Sequence, residues 1–169
     1  MFVWKDYSPD MFFVEDWIDD DAARFAGLDD GWLAEYDYRI KDGMVPGKDF
    51  WCKIVFDKNE PVAVVDLSLY EGSFTIMELL VKPDKRGGGY GSALLCELIS
   101  DGEAIIGHRI ERAEAVIFPN NIPSQKAFEK AGFVFDHAHE DGDAWYYIYE
   151  SGRIINNRER DIVLRMIEK

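Results

Sequence analysis

The sequence has few of the residues that define several whole classes of protein. Among its 169 residues there are two cysteines, Cys52 and Cys96, far apart in the chain. This excludes a disulfide framework and is typical of a reducing compartment, so we expect a cytoplasmic protein. His137 and His139 share one face of a predicted strand. Because we find no third and fourth ligand, we expect a solvated pair and no metal site.

Long apolar runs and an excess of positive charge are also missing. No segment approaches the roughly 20 apolar residues of a membrane helix, and the start, MFVWKDYSPD, has neither the basic nor the apolar region of a signal peptide. We therefore expect no membrane association. The net charge of −14 argues against a nucleic-acid partner. Solubility alone explains this charge, and so does a cationic substrate such as an amine.

The composition is that of one folded domain. The chain is 47% hydrophobic and 14% aromatic, and its length suits one domain better than two. Apolar spacing and turn residues predict helices within Met11 to Phe25, strands from Trp51 to Phe56, Val62 to Tyr70 and Phe74 to Val81, a helix from Gly91 to Ile99, a strand from Arg112 to Phe118, a helix from Pro123 to Ala131, a hairpin of Phe133 to His137 with Trp145 to Tyr149, and a last helix from Asn157 to Glu168. This order indicates a mixed α/β domain.

A glycine-rich stretch, KRGGGYG at positions 85–91, follows the third of these strands and precedes a helix. Bare backbone at such a place lets several N–H groups converge on an anion, and the helix dipole favours negative charge there. The stretch lacks the Gly-Lys-Ser/Thr end of a P-loop, and its sixth position from Gly87 is Ser92, so the dinucleotide pattern fails as well. It is therefore either a phosphate site of another kind or a turn without a ligand.

Two separated motifs resemble the signatures of the GNAT superfamily of N-acetyltransferases. The first, LLVKPDKRGGGYGS, has signature residues at Val81, Pro83, Arg86, Gly89 and Gly91. The second, NNIPSQKAFEKAGF, has them at Asn121, Ser124, Phe128, Gly132 and Phe133. The resemblance covers about Trp51 to Tyr149. It implies one domain over 1–169 with a central, mostly antiparallel twisted sheet and helices on both faces. Residues 1–50 would form a variable acceptor side, 51–149 the cofactor-binding core and 150–169 an additional helix.

The resemblance implies that the protein binds acetyl-CoA and transfers the acetyl group to an amine. The backbone N–H groups of the glycine loop would hold the pyrophosphate, within a site that comprises Arg86, Gly87, Gly88, Gly89, Tyr90, Gly91 and Ser92. The strand Leu79, Leu80 and Val81 would pair with the pantetheine arm, and the N–H of Leu79 would face the acetyl oxygen. Asn121, Ser124 and Phe128 would complete the cofactor site.

Two acids that interrupt apolar strands, Glu78 and Asp66, are the candidate general bases. If Glu71-Gly72 is a two-residue turn, the register places Asp66 opposite Met77 and on the other face from Glu78, unless a bulge changes the direction of Glu78. The family often carries its base near the position of Glu78. Each acid could instead be a charge paired at a strand edge.

The donor of a proton to the leaving thiolate is a second open choice. Many family members have a tyrosine at the position of Phe128, and phenylalanine cannot donate. Ser124, one turn earlier, is the candidate donor, although it could equally be a helix-terminal residue that only satisfies backbone groups. Thiolates leave readily enough near neutral pH that no donor is strictly required.

Three functional classes are compatible with the sequence. The first is an N-acetyltransferase for a cationic small molecule, such as a polyamine or an aminoglycoside-like compound, or for a protein or peptide amine. The second is a non-catalytic CoA-binding sensor or scaffold, which the missing tyrosine favours. The third is a phosphate-binding module for another nucleotide. A homodimer through the aromatic hairpin and the last helix is plausible, although both could pack on their own core.

Overall fold

A seven-stranded sheet organises the fold, as described for residues 1–152 in a computed structural model. The strands are β1 (Val3–Asp6), β2 (Phe50–Asp57), β3 (Glu60–Tyr70), β4 (Ser73–Val81), β5 (Arg112–Ile117), β6 (Val134–Ala138) and β7 (Trp145–Glu150). The helices are α1 (Asp20–Ala26), α2 (Trp32–Lys41), α3 (Tyr90–Ile106) and α4 (Ile122–Lys130), with 3₁₀ segments at Phe12–Trp17 and Pro83–Lys85. The predicted mixed α/β class is confirmed. The predicted last helix, Asn157 to Glu168, lies outside the described residues.

The strand order is β1-β2-β3-β4-β5-β7-β6, and β4 and β5 form the parallel pair. The other neighbouring strands are antiparallel. The parallel ladder joins only residues 74–76 to residues 113–115, although β4 continues to Val81. The second half of β4 therefore has no strand partner on its β5 side within residues 1–152, and a cleft opens between the two strands.

Hydrophobic cores lie on both faces of the sheet. Val64 and Val65 are neighbours on β3 and are both buried, but they belong to different cores. Val65 belongs to the core that contains Leu94 and Leu98 of α3, whereas Val64 belongs to the core that contains Trp32 of α2 and other N-terminal residues. A central strand that is covered on both faces is apolar along most of its length, which makes the acid at position 66 in β3 conspicuous.

Two elements of the N-terminal region were not predicted, β1 and α2. The N–H groups of Trp32 and Leu33, at the start of α2, donate to the carboxylate of Glu15 at 3.0 and 2.7 Å. The capping residue lies 17 residues upstream, so no local motif predicts the start of the helix. By contrast, α1 has a local cap, because the Asp19 side chain accepts the N–H of Ala22.

Helix α3 extends seven residues beyond the predicted end at Ile99, to Ile106. Its backbone departs from helical angles at Asp101, which is where the sequence pattern weakens. A Cβ atom at Gly102 would lie 2.7 Å from the carbonyl oxygen of His108. The glycine therefore permits a close approach of the returning chain and does not end the helix.

The hairpin between β3 and β4 has the predicted turn but not the predicted register. Glu71 and Gly72 both have positive φ, as a type I′ two-residue turn requires. A bulge then leaves Met77 without a direct partner, so that Asp66 pairs with Glu78 and not with Met77. The expectation that the two acids lie on opposite faces is therefore wrong, and the bulge is the reason.

In the part of the chain that the structure describes, none of the helices is long and apolar enough to cross a membrane.

Candidate active site

The cleft between β4 and β5 forms a cavity of about 520 Å³. Its walls come from the second half of β4, the glycine loop, the end of β5, the start of α4 and one side of α1. The structure brings nearly all the predicted site residues to this cavity: Glu78, Leu79, Leu80, Val81, Arg86, Gly87, Gly89, Tyr90, Gly91, Ser92, Asn121, Ser124 and Phe128. The two exceptions are Gly88 and Asp66.

The glycine loop presents free backbone donors at one end of the cavity. Gly87 and Gly89 have φ values of +76° and +83°, which side chains with a Cβ rarely adopt. Within residues 1–152, the N–H groups of Gly87, Gly89, Gly91 and Ser92 have no acceptor. They precede or begin α3, where the helix dipole favours an anion. The N–H groups of Arg86 and Gly88, in contrast, donate to carbonyl oxygens of Pro83 and Lys85 inside the loop.

Close packing fixes this loop against the rest of the cavity. A Cβ atom at Gly91 would lie 3.4 Å from Cβ of Ala127 and 3.7 Å from Cδ2 of Leu79. These are van der Waals distances, so the start of α3 lies close against both α4 and β4 at the base of the cavity. The hydroxyl of Tyr90 donates to Asp57 at 2.8 Å, which holds the first residue of α3 to the end of β2.

The side chain of Arg86 connects the glycine loop to the N-terminal segments. Its Nε donates to the carbonyl oxygen of Val81 at 3.0 Å. Its two terminal nitrogens reach the carboxylate of Asp19 at 2.5 Å and the carbonyl oxygen of Trp17 at 3.2 Å. The same Asp19 carboxylate caps α1, and both contacts lower the pKa of Asp19. Arg86 thus links the end of β4 and the glycine loop to the helix that closes the cavity.

The free edge of β4 supplies backbone groups along the cavity. Lys82 donates its N–H to the carbonyl oxygen of Val62 on β3. Hydrogen-bonding directions alternate along a strand, so the N–H groups of Leu80 and Glu78 face β3 in the register observed. Those of Leu79 and Val81 face the open side. This orientation agrees with the role expected for the N–H of Leu79 and with an extended chain lying along β4.

Glu78 and Asp66 share one face of the sheet but have different surroundings. Glu78 is partly buried and lines the cavity. Burial, followed by the charge of Asp66, raises the pKa of Glu78 well above its usual range. Asp66 is only 2% exposed, lies outside the cavity lining and forms an ion pair with the buried Arg39. The two candidate bases are therefore not equivalent, and Glu78 is the one that reaches the cleft.

The start of α4 forms the opposite wall. The carboxamide oxygen of Asn121 accepts the N–H of Ser124 at 3.3 Å and caps the helix. Of the two roles that the sequence left open for Ser124, capping the helix is therefore excluded. Ser124 lines the cavity instead. Phe128 is 3% exposed and packs edge-to-face on Phe133 at 4.9 Å. The buried Gln125 donates to two carbonyl oxygens of the preceding loop, at Phe118 and Pro119.

Sequence reasoning missed Arg39 and Glu35, which surround Asp66. Both belong to α2, which itself was not predicted, so no local signal could have placed them there. It also missed two acids near His139. The ligand atoms of His139, Asp141 and Asp143 all lie within 4.8 Å of one another on the β6–β7 hairpin. All three side chains are exposed, and none of them lines the cavity.

Comparison with known proteins agrees with this architecture. A model of the acetyltransferase (GNAT) family matches residues 2–133. No curated protein sequence matches the chain at a significant level.

Among solved structures, aminoglycoside acetyltransferase AAC(6')-Ib in complex with coenzyme A and kanamycin is 16% identical, with a TM-score of 0.68 over 89% of this chain and 95% of that one. Spermidine N-acetyltransferase from Vibrio cholerae, in complex with CoA and spermine, is 15% identical, with a TM-score of 0.68 over 92% and 98%. A putative phosphinothricin N-acetyltransferase is 21% identical, with a TM-score of 0.64 over 90% and 100%. At these identities the likeness shows the fold.

Proposed function

The chain belongs to the GNAT family of acetyltransferases, and we propose that it transfers the acetyl group of acetyl-CoA to a primary amine. One observation carries the proposal. The free donors of the glycine loop, the open edge of β4 and a partly buried acid, Glu78, all line the same cavity. Acetyl-CoA and an amine would need these three features in this order along one cleft. The donors would bind the phosphates, the strand edge would pair with the pantetheine arm, and the acid would accept a proton from the amine.

The residues of the loop and of β4 would hold acetyl-CoA, which supplies an acetyl group activated as a thioester. The free N–H groups of Gly87, Gly89, Gly91 and Ser92 would bind the pyrophosphate. The open edge of β4 would pair with the pantetheine arm in the manner of an added strand. The N–H of Leu79, which faces the open side, would donate to the acetyl oxygen as negative charge develops there.

Glu78 would act as the general base that takes a proton from the incoming ammonium, directly or through a water. An amine attacks a carbonyl only in its neutral form, so the proton must leave first. Burial and the neighbouring carboxylate raise the pKa of Glu78, which brings it closer to the pKa of the amine and makes it a stronger base.

A cationic acceptor suits the net charge of the protein and the two acids in the cavity lining, which also carries four basic side chains. Asp21 and Glu78 both line the cavity, and the net charge of the whole chain is −14. An acidic surface raises the local concentration of a cation. The related structures with kanamycin and spermine contain acceptors of this kind. We therefore propose a polycationic small molecule or a basic peptide amine as the acceptor.

Phe128 favours a second candidate, a CoA-binding domain without catalysis. Its ring is packed in the core and offers no proton. The two candidates differ in one measurement, thiol release from acetyl-CoA across polyamines, aminoglycosides, amino acids and short peptides with free N-termini or lysines. The transferase predicts release with at least one cationic class. Tight CoA binding with no release from any amine would support the non-catalytic domain.

Ser124 is the proposed proton donor to the leaving thiolate. General acids contribute about 10²–10⁴-fold, but a thiolate leaves readily, so we expect Ser124→Ala to lower kcat by only about tenfold. Coenzyme A affinity should stay unchanged, and α4 should stay capped because Asn121 supplies the cap. Ser100→Ala is the matched control, because among residues 1–152 the Ser100 hydroxyl bonds only within α3. A kcat equal to that of the control would show that no donor is needed.

A further inference from the structure

The bulge at Met77 places a second carboxylate directly behind Glu78. Asp66 and Glu78 are partners across β3 and β4, and residues paired in this way have Cβ atoms about 4.5–5.5 Å apart. Glu78 lines the cavity, whereas Asp66 does not. Asp66 is therefore close enough to act on Glu78 electrostatically but is shielded from any acceptor.

A single guanidinium group holds Asp66 in place. Arg39 reaches the sheet from α2, is 5% exposed and forms an ion pair with Oδ2 of Asp66. Its Nε and Nη2 also contact Oε1 of Glu35 at 3.3 and 3.2 Å, and its guanidinium lies 5.5 Å from the ring centre of Phe50. Oδ1 of Asp66 is buried and has no hydrogen-bond partner among the residues described.

The charges around Glu78 are unbalanced. Glu35, Asp66 and Glu78 provide three carboxyl groups, and Arg39 is the positive charge packed among them. Burial raises the pKa of the Cys52 thiol and of the Tyr36 hydroxyl, so these neighbours stay neutral. Asp21, Lys126 and Lys130 also line the cavity, and Arg86 and Lys85 are held by Asp19 and Glu60. The surplus of negative charge opposes ionisation of Glu78.

We propose that Asp66 and Arg39 are positioning residues for Glu78: a buried ion pair behind its carboxyl group that controls how readily this group accepts and releases a proton. The proposal rests on the proposed role of Glu78 as the base. Burial raises the pKa of Asp66 to about 6 even though Arg39 opposes this shift, so Asp66 is ionised above that pH. Its charge then keeps Glu78 a strong base. Asp66 thus acts through Glu78 and contacts neither substrate.

The decisive variant is Asp66→Asn, which keeps the size of the side chain and removes its charge. The readout is the titration midpoint of the Glu78 carboxyl carbon by NMR in ¹³C-glutamate-labelled protein, identified as the signal missing from Glu78→Gln. We expect the midpoint to move to lower pH in Asp66→Asn. It should move less in Glu35→Gln, because Glu35 acts more weakly on Glu78, and hardly at all in Arg39→Lys, which keeps the charge.

Activity gives a second readout, the ratio of kcat/KM at pH 6.5 to that at pH 9. A midpoint lower by half a unit raises this ratio about threefold, whereas a purely structural defect lowers both values alike. Should Asp66→Asn fail to fold, the neutral double variant Arg39→Met/Asp66→Asn replaces it, and its midpoint should still fall because Asp66 acts more strongly on Glu78 than Arg39 does.

The outcomes separate this proposal from the proposed function. An unchanged Glu78 midpoint in a folded, active variant overturns the positioning role and leaves the transferase in place. A lowered midpoint in a protein that acetylates no amine supports the positioning role and removes the transferase. A lowered midpoint together with a raised activity ratio supports both.

Discussion

Replacing Gly89 with aspartate should lower the affinity for coenzyme A by about 100-fold or more. Gly89 immediately precedes α3, and a Cβ atom there would point into open space, with nothing within 4 Å. A carboxylate at this position would compete for the free N–H groups of Gly91 and Ser92. It would also repel the pyrophosphate by about 4 kcal/mol for each pair of unit charges at 4 Å and an effective dielectric of 20.

Matched variants separate charge from backbone strain. Gly89 has a φ of +83°, so any side chain costs about 1–2 kcal/mol in backbone strain. Gly89→Ala carries this strain without the charge and should lose far less affinity. Gly43, with a φ of +87° and equally open surroundings, lies outside the cavity lining, and Gly43→Asp should bind as the wild type does. Calorimetric titration with coenzyme A measures all three, and an affinity for Gly89→Asp equal to that of Gly43→Asp would rule out this phosphate site.

Replacing Glu78 with glutamine should lower kcat/KM for the acceptor by about 10²–10⁴-fold, the usual contribution of a general base. Coenzyme A affinity should change little, because the proposed phosphate donors lie in the glycine loop. The wild-type rate should rise with pH through the raised pKa of Glu78, and this acidic limb should be absent from the residual activity of the variant. Glu103→Gln, at an exposed position on α3, is the control. Full activity with an unchanged pH profile in Glu78→Gln would exclude Glu78 as the base.

The same substitution should also change stability, which gives a readout that needs no acceptor. The folded-state pKa of Glu78 lies above its unfolded value, so between these two values the native state binds more protons than the unfolded state. Stability of the wild type therefore falls as pH rises through this window. Because glutamine does not ionise, the variant does not lose this stability as the pH rises. We expect the gain in Tm of Glu78→Gln over the wild type to be larger at pH 9 than at pH 5.

Local sequence patterns were sufficient to predict the parts of the candidate site that consist of backbone groups. A run of glycines with a strand before it and a helix after it is a local pattern that predicts a turn with free backbone donors. The glycine loop, the strand that carries Leu79 and the start of α4 were therefore all recognisable from their own residues. The resemblance to the family rests on these same two segments, and the match over residues 2–133 confirms it.

Local patterns could not predict that Asp66 and Glu78 lie on the same face of the sheet. Alternation along β3 and β4 predicts opposite faces for Asp66 and Glu78, and one bulged residue, Met77, reverses the result. A bulge depends on how two strands pair, which neither strand encodes alone. Sequence reasoning allowed for a bulge but could not place one, and so it treated the two acids as equal candidates.

The amino-acid sequence by itself determined the family, the fold class and the position of the glycine loop, because each depends on short segments with their own conformational preferences. Tertiary structure alone decided which acid reaches the cleft. That outcome required a strand bulge, a helix capped by Glu15 from 17 residues upstream, and an arginine on that helix which reaches the sheet and covers Asp66. These contacts join segments that are far apart in the sequence, so they form only when the chain folds and no single segment predicts them.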